Sequence, residues 1–318
     1  MTSPRHAEAT AQGRYYHHPV TGQQLVSVTN ILSVACAKPA LIPWAVKVVV
    51  EKAWAVLPRM VAASRKQQDC KPTRPNKDWE ACGTCWGCLN REVKNEANVV
   101  RDKASDLGTR IHNLAEAHIL HKPMPEDLEA APYVVQYEQF LADFDVDITK
   151  DIEATELTVA NPALGYAGTL DLLVWLHLDG FIPGQPVKFN PDGKRSLWLL
   201  DFKSSATRAA DSTYPEYALQ LAGLRGASEM WMPDDTVVPM RRGITGAACL
   251  NLRQSTYALI PLPTGNAEFA AFKGGLVMTK WMHSGVTKDA RPIQPDGSFK
   301  PKATRAKKTT TTTTKKAA

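Results

Sequence analysis

Between Asp151 and Ser205 the chain changes its rhythm, and that change restricts the fold more than any other feature. Upstream, apolar residues recur at helical intervals in PALIPWAVKVVVEKAWAVL (39–57, with Pro43 near its first turn), ANVVRDKASDLGTRIHNLAEAHIL (97–120) and PEDLEAAPYVVQYEQFLADF (125–144). From Asp151, DIEATELTVA alternates as a strand does, NPALG is a turn, and YAGTLDLLVWL (166–176) is a second strand. A loop rich in Gly, Pro and Asp (179–193) then leads into LWLLDFKSS (197–205). Two consecutive strands joined by a loop are most simply an antiparallel pair. A mostly helical first half followed by paired strands predicts an α/β chain, α+β in its mixed sheet, with helices flanking that sheet.

Shorter signals complete the outline. RYYHHPVTGQQLVSVTNILSV (14–34) reads as a hairpin turning at Thr21 and Gly22 and running into a helix that starts at Ser27 or Thr29. Residues 212–230 read as an amphipathic helix, 248–262 as strand, turn and strand, and 268–282 as a closing helix. With 318 residues, 44% of them hydrophobic, one substantial core is available. The opening MTSPRHAEATAQGR has no apolar run, and the apolar stretches are too short and interrupted to span a bilayer, so a cytoplasmic protein without membrane contact is expected. The expected organisation is a disordered stretch at 1–13, one domain at 14–284 with a cysteine-rich insertion at about 64–95, and a disordered tail at 285–318. The formal net charge of +6 comes from that tail, which has nine Lys/Arg against two Asp/Glu; it suits loose phosphate binding or simple solubility.

LWLLDFKSS begins as a buried strand and ends on two opposite charges. Successive strand side chains alternate in direction, so Asp201 and Lys203 share a face and Phe202 takes the other. Asp171 falls late in the preceding strand, and antiparallel pairing brings it opposite Asp201. Two carboxylates converging at strand ends suit a hard divalent cation such as Mg²⁺, and a lysine beside them can orient or help deprotonate a water attacking a phosphodiester. An ordinary Asp–Lys ion pair at a strand end is the plain alternative. His112 and Glu116 lie four apart on one helical face, and Tyr217 and Gln220 three apart on the helix after the D-x-K strand.

Taken in order, G-T-x-x-H-x-x-x-E at His112 and Glu116, G-T-L-D at Asp171, D-F-K at Asp201 to Lys203 and the Tyr217/Gln220 helix resemble the PD-(D/E)XK nuclease superfamily in its RecB-like exonuclease branch. SVTNILSV (27–34) and KPALIPWAVK (38–47) are similar to the opening of phage-encoded relatives of CRISPR-associated exonucleases. The resemblance covers roughly residues 14–282, without the cysteine stretch and the tail. It implies a restriction-endonuclease-like core and one or two Mg²⁺ or Mn²⁺ ions held by His112, Asp171, Asp201 and the Phe202 carbonyl. It further implies that Lys203 positions the attacking water and that Gln220 and Tyr217 support the site and the DNA strand. Glu116 and Glu156 are supporting carboxylates, in the site or beside it.

Cys70, Cys82, Cys85 and Cys88 place four of six cysteines within a short stretch as C-x11-C-x2-C-x2-C. In a reducing compartment such clustering indicates metal binding: a tetrahedral zinc site is preferred, an iron–sulfur cluster is the alternative and unliganded thiols the plain reading. Many relatives hold a [4Fe–4S] cluster with one cysteine before the nuclease core and three after it; this chain has only Cys249 after the core, so that arrangement is not carried over. Arg65, Lys66, Lys71, Arg74 and Lys77, interleaved with Trp79 and Trp86, suit DNA by phosphate pairing and base stacking, although the tryptophans would also plug a small metal-held subdomain. Cys36 and Cys249 read as ordinary buried thiols.

The expected function is therefore a metal-dependent DNA exonuclease acting on linear ends in phage recombination, replication or repair, with a recombinase or single-strand annealing protein as a possible partner. The competing readings are an endonuclease on the same fold and a non-catalytic DNA-binding module.

Overall fold

Strand β5 (Tyr166–Leu176) organises the sheet, because three other strands pair with it. The structure, a computed structural model, describes residues 5–65, 82–190 and 193–300. Along one edge β5 runs antiparallel to β4 (Ile152–Asn161). The other edge is divided. Tyr166 and Ala167 pair in parallel with β3 (Gln24–Ser27), whereas Leu172 to Leu176 pair antiparallel with β6 (Ser196–Ser204). Between those two partners the edge is open over residues 168–171, and the sheet forks.

The arms of the fork extend the sheet to ten strands among the described residues. β3 is continued by β2 (Gly13–His17) and β1 (Ala7–Thr10), both antiparallel. β6 is continued by β9 (Ile244–Leu252), in parallel, and β10 (Tyr257–Pro261). Beyond β4 lie β7 (Glu229–Trp231) and β8 (Val237–Pro239). Parallel and antiparallel pairs coexist, so the fold is mixed α/β.

Both faces of the central strands are covered, which is why LWLL is an unbroken apolar run rather than an alternating one. On one face, α1 (Val28–Ala35), α5 (Pro215–Arg225) and α6 (Asn266–His283) bury Ile31, Leu221 and Phe272 against Leu197 and Leu199. On the other, α4 (Ala131–Asp143) and the C-terminal third of α3 (Trp86–Ile119) bury Phe140, Tyr137 and Ile111 against Trp198, Leu200 and Phe202. The first helix starts where its sequence signals, with the Ser27 hydroxyl accepting the Asn30 amide at 3.0 Å. α2 (Leu41–Ser64) packs against the N-terminal part of α3, and Ile42, Val46, Val50 and Trp54 remain exposed along it.

Four sequence expectations are corrected. The stretch at 1–13 contains β1, and His6 bonds Asp235 at 2.7 Å, because the open edge of β2 accepts another strand. The helix expected over 212–230 stops at Arg225: Glu229–Trp231 leaves it to pair with β4, whose backbone groups need partners. The cysteine-rich insertion is not separate from the helical scaffold, since Trp86–Ile119 is one continuous helix. Within the tail, which belongs to a second compact unit (Lys280–Ala318), Val286–Asp289 forms a 3₁₀ turn and Ile293 bridges Phe299; residues 301–318 lie outside the described ones. Among the described residues no helix is long and apolar enough to cross a membrane.

Gly168 lets the two helices of one face close over the fork. A Cβ there would sit 2.7 Å from a Leu224 methyl and 2.9 Å from one of Val28, both buried. Gly168→Ala is expected to destabilise the protein by about 1–3 kcal/mol, measured as a lowered urea midpoint at unchanged slope.

Candidate active site at the fork of the sheet

β6 alternates cleanly: Leu197 and Leu199 face α5, while Trp198, Leu200 and Phe202 face α3 and α4. Asp201 and Lys203 therefore continue the α5 face, where Tyr217 and Gln220 wait one helical turn apart. The four side chains close on one another. Lys203 pairs with Asp201, donates to Gln220 Oε1 at 3.1 Å, and lies 4.9 Å from the centre of the Tyr217 ring. Gln220 Nε2 donates in turn to Asp201 Oδ1 at 2.6 Å.

Asp171 occupies the gap in β5, one step beyond the last rung shared with β6. Its Oδ2 accepts the Phe202 amide at 2.6 Å, so a side chain replaces the missing backbone rung. An extended residue turns its N–H and C=O to the same side, which directs the Phe202 carbonyl toward the same gap. Opposite Asp171 on β4 is Glu156, at φ +45°, a left-handed conformation that costs a non-glycine residue on the order of 1 kcal/mol or more. Both strands change face here: Leu170 packs with the α5 side and Leu172 with the α3 side, although residues two apart should agree. His112, from α3, completes the group with Nδ1 at 3.0 Å from Glu156 Oε1 and 3.7 Å from Asp171 Oδ2.

These groups are poorly hydrated and unequal in charge: three carboxylates face one lysine and one histidine. Burial, reinforced by the charges of Asp201 and Glu156, pushes the Asp171 carboxyl well up, against the opposing pull of His112 and Lys203. Burial works against a charged His112, yet Asp171, Glu156 and Asp201 raise it to about 9. Lys203 is half-buried; desolvation pulls it down, yet Asp201 and Asp171 push it above the usual lysine value. Ligand atoms of His112, Glu156 and Asp171 lie within 4.8 Å of one another. Oxygen-rich donors, one imidazole and excess buried negative charge fit a hard divalent cation.

The fork thus joins His112, Asp171, Asp201, Lys203, Gln220, Tyr217 and Glu156. Glu156 stands nearer its centre than a merely supporting role requires, while Asp201 turns its oxygens to Lys203 and Gln220. Glu116 is not drawn in; its carboxylate lies 3.9 Å from Lys122.

A second cluster lies at the other end of α3. Sγ atoms of Cys82, Cys85 and Cys88 fall within 4.8 Å of one another and could hold a metal ion. Cys85 caps the helix, and its sulfur accepts the Cys88 amide at 3.4 Å. Hydrogen bonds from Thr84 and Cys85 pull the Cys82 thiol down to about 5, favouring the thiolate that metals bind. Cys70, with Lys66, Lys71, Arg74, Lys77 and Trp79, lies outside the described residues; Arg65 and Trp86 are exposed.

Two residues near the fork escaped sequence reasoning. Arg253, buried, donates to the carbonyls of Lys203, Arg208, Ala209 and Leu252 at 2.7–3.0 Å. Asn251 Nδ2 holds the carbonyls of Ala210 and Ser212. Together they pin the loop between the D-x-K strand and α5. Cys249 is buried as expected, but its Sγ lies 4.0 Å from Asp201 Oδ2; Cys36 is half-buried. Nothing local marks these positions, because their partners are backbone atoms some 40 or more residues away in sequence.

No protein-family model matches the chain, and comparison with curated proteins finds no match. The functional reading rests on the site.

Arg253→Met is expected to remove the four hydrogen bonds of the guanidinium to those carbonyls and cost about 2–3 kcal/mol. Faster trypsin cleavage after exposed Arg208, at unchanged far-UV circular dichroism, would report release of the loop.

Proposed function

We propose that this chain is a divalent-metal-dependent deoxyribonuclease with a PD-(D/E)XK-type core, cutting DNA from its ends. The observation that carries the reading is the convergence of Asp171, Glu156, Asp201, Lys203 and His112 on one open segment of sheet edge. His112, Glu156, Asp171, Asp201 and the Phe202 carbonyl are the groups that would hold Mg²⁺ or Mn²⁺. When bound, the cation supplies neutralisation of charge on the scissile phosphate and eases deprotonation of the attacking water.

The remaining roles fall to side chains already in place. Lys203, paired with Asp201 and bonded to Gln220, would orient the attacking water and stabilise the phosphate oxygens. Gln220 bridges Lys203 and Asp201 and keeps the lysine from swinging into solvent. Tyr217 covers the ammonium on its other side. The Arg253 anchor fixes the carbonyl of Lys203 itself, which limits backbone drift at the catalytic strand.

The cysteine cluster is read as a zinc site with Cys82, Cys85 and Cys88 as ligands. Purified protein is expected to release about one zinc per chain on titration with a mercurial, and Cys85→Ser to lower that yield. A broad visible absorption bleached by dithionite would mark an iron–sulfur cluster instead.

End-labelled linear DNA and the same sequence as a closed circle, each with Mg²⁺, Mn²⁺ or EDTA, test the activity. Loss of nucleotides from linear DNA alone is expected, abolished by EDTA. Asp201→Ala and Lys203→Ala should each reduce the rate by about 10²-fold or more while retaining DNA binding. Nicking of the circle would make the enzyme an endonuclease; binding without cleavage under every condition would leave a DNA-binding module.

A further inference from the structure

His112 is one position on a stripe that runs the length of α3. Counting back from it by whole turns gives Ser105, Arg101, Asn98, Lys94 and Arg91, which with His112 fall within about 80° of arc at 3.6 residues per turn. All five are exposed. None is acidic. Glu92 and Glu96 lie on the side that meets α2: Lys52 is 3.1 Å from Glu92 and 3.2 Å from Glu96, and Arg59 is 3.2 Å from Glu92, whereas Asp102 and Asp106 are exposed and paired with Arg101 and Arg110. Glu92 and Glu96 are thus neutralised inside the helix pair, while Arg91, Lys94, Asn98 and Arg101 are exposed on the opposite side.

The inner end of the stripe is fixed against the catalytic strand. Gly108 passes so close to the end of β6 that a Cβ there would lie 3.3 Å from the Ser204 hydroxyl, next to Lys203. From that crossing α3 runs as one continuous helix back to Trp86. Arg91 lies about 31 Å from His112 along the axis, the length of about nine nucleotides of a duplex strand. Near the outer end, Asn90, Arg91, Lys94 and Asn95 line a surface hollow of about 570 Å³. Arg101 also touches Asp102 at 2.7 Å, but an exposed pair of adjacent residues is worth at most about 1 kcal/mol and yields to a phosphate.

We propose that this outer face of α3 is a phosphate-tracking ridge that carries the DNA backbone leading to the fork, with Arg91, Lys94 and Arg101 as its charged contacts. The proposal rests on the nuclease reading and adds to it the surface that binds the substrate away from the cut. Asn98 and Ser105 fill the intervals with neutral hydrogen-bonding groups, as sequence-independent backbone binding requires. The ridge holds DNA by charge, so its contribution is salt-dependent and does not alter the chemical step.

Fluorescence anisotropy in EDTA tests the ridge without turnover, with single-stranded and duplex oligonucleotides of about 20 nucleotides, long enough to span it. Wild type is compared with the triple variant Arg91→Gln/Lys94→Gln/Arg101→Gln and with Lys47→Gln, an exposed charge on α2. The triple variant is expected to bind about tenfold or more weakly, with a log K against log salt slope shallower by about 2–3. Its circular dichroism, and its cleavage rate at saturating DNA with Mg²⁺, should match wild type, and Lys47→Gln should bind as wild type does. Whichever DNA form shows the altered slope is the form the ridge carries. An unchanged slope for the triple variant, or an equal loss in Lys47→Gln, overturns the ridge and leaves the nuclease reading intact. Absence of DNA binding by wild type overturns the nuclease reading, and the ridge with it.

Discussion

The hydrogen bond from the Phe202 amide to the Asp171 carboxylate is the contact on which the site depends. β5 gives one stretch of its edge to β3 and another to β6, and a strand cannot change partners without leaving a few backbone groups unpaired. Asp171 stands at that change and supplies a side-chain acceptor where the ladder fails. The same bond ties the two strands whose ends carry the charges, so Asp171 and Asp201 keep their separation without a backbone rung between them.

Electrostatics explains why the arrangement suits a cation. Asp171 and Asp201 are buried beside the half-buried Glu156, and Lys203 and His112 relieve only part of their mutual repulsion. Glu156 holds a left-handed backbone conformation to reach His112. Strain and concentrated charge at the same few residues would be poor design for a structural ion pair. They are the ordinary marks of a site that recruits a ligand.

α3 gives the molecule a second axis. Its C-terminal third lies in the core and delivers His112; its N-terminal two thirds pair with α2 and end at the three cysteines. Cys88 and His112 are separated on it by about 36 Å of helix, too far for the thiols to reach the fork. The cluster instead sits where α3 begins, at the helix cap itself. The three thiols, the exposed basic residues and His112 are thereby placed along one continuous helix.

The sequence by itself determined most of the local elements and which way several charged side chains point. Period and capping fixed β4, β5, β6 and the start of α1, and the alternation of LWLLDFK put Asp201 and Lys203 on one face, because strand geometry is local. Helical spacing likewise paired Tyr217 with Gln220. Only the tertiary structure decided which carboxylates meet. Glu116 and Glu156 looked equal from sequence; a paired kink in β4 and β5 brought Glu156 to His112, while Glu116 lies near Lys122. The Arg253 anchor and the turning of residues 229–231 into a strand were equally invisible, since each answers the needs of backbone groups supplied by distant parts of the chain. Local periodicity specifies which way a side chain points from its own strand or helix. What it points at depends on how those elements share the edges of one sheet.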